Sequence, residues 1–173
     1  MNSAGTGPSD GARGKAAFDE TVATFFSAYE RLLEARKQRL ISIDEFIKGL
    51  LEIIRALSIF SEFEGVFDEL ELKMQAAVLN GFVQVLASFL RELEFDADGL
   101  LLEYEKLNEE RKRRNLDTVE YWRKLLEVVV GLSERLHDLP LDEKQKRYLA
   151  PFLVSFVKYF YCLLDQKREL FNP

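Results

Sequence analysis

The chain has one cysteine, one histidine and one tryptophan in 173 residues, with two methionines, four prolines and nine glycines. Each scarcity excludes something. A single cysteine, Cys162, cannot close an internal disulfide, so folding needs no oxidising compartment and a reducing one is expected. One histidine and one cysteine far apart in sequence cannot supply a zinc site. A carboxylate metal centre would want repeated Glu-x-x-His units on facing helices, and one histidine cannot supply the repeat. No metal and no cofactor are expected.

Nucleophilic chemistry is equally short of parts. His137 closes the stretch Glu134–Asp138 at a helix end, where a solvated imidazole suits the negative end of the dipole. Cys162 lies among Tyr159, Phe160, Tyr161, Leu163 and Leu164, company that predicts a buried, inert thiol. No Gly-rich loop has phosphate-binding spacing. The chain is not expected to be an enzyme, and no catalytic residue is assigned.

Two further absences concern location and charge. Met1–Gly14 contains no apolar run and one basic residue, so no signal peptide is read there. The longest uncharged span falls short of the ~20 residues that cross a bilayer, so no membrane span is expected. These features predict a soluble, intracellular, cytoplasmic protein. A net charge of -6 argues against a surface that binds nucleic acid all over, though it leaves room for a local basic patch.

What the chain does have is apolar bulk: 47% hydrophobic residues and 14 phenylalanines. Between Met74 and Leu90 there is no charged residue. Asn80, Gln84 and Ser88 recur every fourth position, a thin polar stripe on an otherwise apolar helix. A helix of that kind is expected to be enclosed. The reading is an all-α bundle of about six helices around a central helix at about 66–95.

The remaining chain divides by periodicity and caps. Residues 1–14 read as a disordered tail and 15–173 as one helical domain. The first helix is expected to open near Ala16, with Phe18, Val22, Phe25, Tyr29 and Leu32 on its apolar face. Ser42-Ile43-Asp44-Glu45 and Asp117-Thr118-Val119-Glu120 match capping boxes, and Asp96 or Asp98 should cap a short helix after the central one. Asp142 with Gln145 can cap the last helix, which Pro151 should kink.

Two stretches invite a functional reading. Arg111, Lys112, Arg113 and Arg114 are four adjacent cations, suited to an anionic ligand or nucleic acid. Glu103, Glu105, Glu109 and Glu110 precede them, and acids early with bases late also describe an ordinary solvated helix. The last helix carries Phe152, Phe156 and Phe160 on one stripe, with Tyr159, Tyr161 and Val154 outside it. More apolar surface than one arc can bury points to a partner surface at Tyr159, Tyr161, Phe156 and Val154. The chain therefore reads as a non-enzymatic interaction or assembly module, forming a homo-oligomer or binding a protein partner. The alternatives are a carrier or sensor of a hydrophobic small molecule in a Phe-rich cavity, and a small subunit of a nucleoprotein complex using 111–114.

Overall fold

Four helix starts are set by side chains that reach back to the backbone. At Ser42 the hydroxyl accepts from the Glu45 N–H, while the Glu45 carboxylate accepts from the Ser42 N–H at 2.7 Å. Asp68 and Glu71 exchange the same two bonds, each at 2.8 Å, and so do Asp142 and Gln145. Asp117 accepts from the Glu120 N–H, but the Glu120 carboxylate turns to Lys124 instead of returning the bond. Each cap satisfies donors that a helix start would otherwise leave orphaned.

The computed structural model describes residues 10–171, with side chains described for 13–168. Six α-helices follow in order: α1 Asp10–Lys37, α2 Ile43–Ala56, α3 Glu69–Glu92, α4 Leu100–Lys112, α5 Thr118–His137 and α6 Glu143–Phe171. A 3-10 segment, Leu57–Val66, joins α2 to α3, and a shorter one, Ala97–Gly99, joins α3 to α4. No strand occurs among the described residues. The fold is the all-α bundle that the hydrophobic periodicity demands.

Two boundaries differ from the sequence reading. α1 begins at Asp10 rather than near Ala16, because each residue added to an existing helix gains one backbone bond, and Ala12, Ala16 and Ala17 are strong helix formers. Residues 10–14 therefore belong to α1; the first nine residues of the expected tail lie outside the described residues. Neither Asp96 nor Asp98 caps α4: the N-cap is Gly99, at φ 81°, and Asp98 pairs with Arg135 at 2.9 Å. α6 is unbroken across Pro151, whose ring is exposed.

α1, α3 and α4 end alike. Leu40, Phe95 and Asn115 each donate to a carbonyl five residues back, and the residue before each donates three back. This is the Schellman ending, which places one residue in the left-handed region. Those residues are Arg39, Glu94 and Arg114, with φ of 58°, 56° and 57°. A side chain there is strained and glycine is not. Arg39→Gly, Glu94→Gly and Arg114→Gly should each raise stability by ~0.5–1 kcal/mol in urea titrations. A loss at all three would show that the side chains hold these turns.

α3 is the common element of the core. α5 packs along one side of it, burying Leu79, Val83, Leu86 and Leu90 against Trp122, Leu125 and Val129. The Trp122 indole N–H donates to Gln75 Oε1 at 2.9 Å, a buried bond between α5 and α3. α4 lies on a second side, where the Tyr104 hydroxyl donates to Asn80 and Arg91 pairs with Glu105 at 2.8 Å. α2 packs on α5 and α6, and α1 on α2. Rings of Phe18, Phe60, Phe63 and Phe67 meet edge to face where α1 crosses the 3-10 segment.

Candidate interaction face

α6 runs antiparallel to α3, and aromatic rings set their separation. Phe82 of α3 stacks on Phe156 with centroids 3.8 Å apart and on Phe152 at 5.0 Å. Phe89 stacks on Tyr148 at 5.8 Å. At the far end Lys167 pairs with Glu71 at 2.7 Å, with its ammonium 5.8 Å from the Phe67 ring centre. Both Glu71 oxygens are thus engaged, one by Lys167 and one by the Asp68 N–H.

The expected enclosure of α3 is incomplete. α4, α5 and α6 cover three sides, and the fourth is open to solvent at Leu70, Met74, Ala77, Gly81, Gln84 and Ser88. Leu70 is 66% exposed and Met74 55%, large values for residues of a central helix. The reason is compositional. Ala77 and Gly81 carry little apolar area, and Gln84 and Ser88 are polar, so leaving the middle of this side uncovered costs little, and the large apolar area left out is that of Leu70 and Met74 in its first turns.

The open side of α3 continues onto α6. The helical repeat that turns Phe156 and Phe152 toward Phe82 places Tyr148, Phe152, Ser155, Tyr159 and Cys162 on the same outer side of the seam. Tyr148 is 58% exposed, Ser155 and Cys162 are exposed, and Phe152 and Tyr159 are half-buried. From Met74 to Ser88 on α3, and from Tyr148 to Cys162 on α6, the only charge is Lys158 at the outer edge. Two adjacent helices thus present four turns of surface with no charge in the middle.

The predicted partner residues divide over this geometry. Tyr159 lies on the uncharged face, and burial pushes its phenol pKa up. Phe156 does not belong to any surface: it is buried under the face against Phe82 and Phe160. Tyr161 and Val154, seven residues apart, sit on another side of α6. Tyr161 packs on Phe26 and Tyr29 of α1, and its hydroxyl donates to Glu30 at 2.6 Å. That bond to a carboxylate, with some desolvation, pushes its pKa up to about 12. Tyr161 is a strut between α1 and α6.

Cys162 is exposed, against the expectation of burial, because the helical turn that buries Phe160 and Leu164 swings the residue between them outward. His137 behaves as a helix-end residue, with Nδ1 3.1 Å from Asp138 and Nε2 3.7 Å from Glu52. The basic run is partly structural. Arg111 Nη1 donates to the Leu116 carbonyl at 2.7 Å and its guanidinium lies 5.3 Å from the Tyr121 ring centre. Lys112 pairs with Glu109 at 3.2 Å; Arg113 and Arg114 are exposed.

Met74, Leu70 and Tyr148 are the face residues that sequence reasoning missed. The signal was present, since uncharged exposed positions on α3 and α6 follow from the same spacing, but nothing local says that the two helices are neighbours. The expectation of no membrane span rests on the central helix alone. Among the described residues one helix, Glu143–Arg168 of α6, is long and apolar enough to cross a membrane by length and composition, and 39% of its most apolar stretch is buried in the bundle. No group of acidic, histidine or cysteine side chains that could hold a metal occurs among the described residues. Compared with protein-family models, with curated proteins and with solved structures, the chain gives no significant match.

Proposed function

We propose that this chain is a non-enzymatic protein-interaction module that docks through the uncharged face of α3 and α6. One observation carries the reading: α3 has no charge from Met74 to Leu90, yet one side of it is open to solvent. The face combines Met, Tyr and Phe with small and polar residues and excludes charge from its centre. That composition marks the core of protein interfaces, where aromatics and Met are enriched and Lys, Glu and Asp are depleted. Met74→Glu with Tyr148→Glu tests it. Both side chains are exposed, so the fold should keep its helical circular dichroism, with the melting midpoint lowered only by the loss of the Phe89–Tyr148 stack. A partner recovered by the wild-type chain from its native source, or its self-association in sedimentation, should be lost. Equal recovery and equal sedimentation by the variant would remove the face from the function.

A second reading has an observation of its own. Phe25, Ile53, Ile59 and Phe60 line an open groove of about 440 Å³ between α1, α2 and the 3-10 segment. Its volume falls in the range of small-molecule sites. A hydrophobic ligand that co-purifies with the chain and is displaced by Ala28→Trp, which fills the groove, would favour a carrier or sensor.

A further inference from the structure

We infer that the groove between α1 and α2 is a binding site for a single-chain amphiphile with a zwitterionic head, of the phosphocholine type. The inference rests on the second reading above, a carrier or sensor of a hydrophobic ligand, and goes further by naming the ligand's two ends.

The groove is longer than one cavity. A second opening of about 430 Å³, lined by Leu32, Ala35 and Gly49, shares Ala28, Ile53 and Ala56 with the first. The two therefore run end to end between the same pair of helices. None of their lining residues belongs to α3 or α6, so this site is separate from the uncharged face.

The two cavities differ in chemistry. In the first, Phe25, Ile53 and Phe60 form a buried floor, and Ile59, 40% exposed, stands at the edge. Thr21 and Thr24 donate their hydroxyls to the Ala17 and Glu20 carbonyls at 2.9 and 3.0 Å. Both hydroxyls are thus committed to α1 itself, and the threonines add methyl groups to the wall. Glu20 and Ser58, the other polar residues there, are exposed.

In the second cavity two charges stand on opposite walls, Arg31 on α1 and Glu52 on α2. Between them Leu32 sits in the notch of Gly49, where an added Cβ would come within 2.6 Å of its Cδ1. Arg31 forms no ion pair among the described residues, and Glu52 lies 3.7 Å from His137 Nε2.

Those charges select the head. An anionic head drawn to Arg31 would lie beside the like charge of Glu52, and a cationic head drawn to Glu52 would lie beside Arg31. A head of both signs meets each with its opposite, phosphate to guanidinium and quaternary ammonium to carboxylate. Thr21 and Arg31 are ten positions apart on α1, which at the helical rise is about 15 Å. An extended chain of roughly 12 bonds, at about 1.2 Å each, covers that distance. A tail of that length therefore reaches from the charged cavity to the far end of the apolar one. An amphipathic helix is the poorer occupant, since its flanking charges would run along its whole length and these stand at one end.

Calorimetric titration of the full chain with dodecylphosphocholine, below its micelle concentration, tests the assignment. Binding of one molecule per chain is expected, about fivefold tighter than for dodecanoate or dodecyltrimethylammonium, the scale of one exposed charge pair. Ala28→Trp should abolish it, and so should Thr24→Trp, which guards against misfolding of the first variant. Arg31→Glu should turn the preference to dodecyltrimethylammonium, and Glu52→Lys to dodecanoate, both with helical circular dichroism kept. Equal affinity for all these amphiphiles, lost in Ala28→Trp, overturns the head assignment and leaves the carrier reading standing. No binding of any of them, with a co-purified apolar ligand still displaced by Ala28→Trp, does the same. Binding that both tryptophan variants leave intact lies elsewhere and overturns both. A groove filled by a second copy or a partner helix, seen as association that Ala28→Trp reverses and dodecylphosphocholine does not, also overturns both. Retention on phosphatidylcholine vesicles, lost in Ala28→Trp, assigns the groove to a bilayer surface and overturns the single-chain ligand.

Discussion

Phe82→Ala is expected to lower stability by ~3–5 kcal/mol, the range for removing a buried aromatic side chain. The position has more than burial behind it. Phe82 is almost fully enclosed and its ring touches both Phe152 and Phe156. It acts as the spacer between α3 and α6, and neither backbone can close the gap without losing the flanking Phe89–Tyr148 stack and the Glu71–Lys167 pair. A cavity that cannot collapse costs more than transfer alone. Gln84→Ala, on the open side of the same helix, should change stability by less than ~0.5 kcal/mol. Paired urea titrations decide the matter. A small loss at Phe82 would mean that α6 is held to the bundle by α1 and α2 alone.

The second large effect belongs to Gln75. Its side chain is almost wholly buried, Oε1 accepts from the Trp122 indole, and Nε2 has no hydrogen-bond partner among the protein atoms. Gln75→Ala should cost ~2–4 kcal/mol, combining a buried cavity with an indole N–H left without its acceptor. Gln75→Met keeps the volume and also removes the unpaired amide nitrogen. Its cost should fall to ~1–3 kcal/mol, the share due to the orphaned N–H. Trp122 is the only tryptophan, so its fluorescence follows both unfolding and any change around the indole. Equal costs for Ala and Met would mean that the hydrogen bond, and not the packing, carries the whole effect.

Much of this architecture is legible from local chemistry. The Ser42–Glu45 and Asp142–Gln145 caps, the apolar faces of α1, α2 and α5, and the uncharged run of α3 can each be read within a few residues. What local chemistry cannot say is which helix lies beside which. Tyr159 and Tyr161 both fall outside the main apolar stripe of α6. Only the placement of α1 shows that Tyr161 is spent on Phe26, Tyr29 and Glu30 while Tyr159 stays near solvent. For the same reason Phe156 looks like surface in a list of aromatics and proves to be core. The enclosure expected for α3 failed on a finer point. Periodicity counts apolar positions, but the alanine and glycine of the middle turns tolerate exposure at little cost, and only Leu70 and Met74 leave large apolar area uncovered.

Glu71 joins two ends of the chain that lie far apart in sequence. One of its oxygens closes the first turn of α3 through the Asp68 N–H, and the other holds Lys167 near the close of α6. Terminal turns usually fray independently, each exchanging its amide hydrogens with solvent at its own low opening free energy. Here a single carboxylate belongs to both turns. When α6 lifts at Lys167, the carboxylate regains its freedom and the α3 cap loosens with it. The amides at the start of α3 and those near Lys167 should therefore share one opening event and one protection factor. The face between them, bounded at that end by this pair, would loosen from the Leu70 end first.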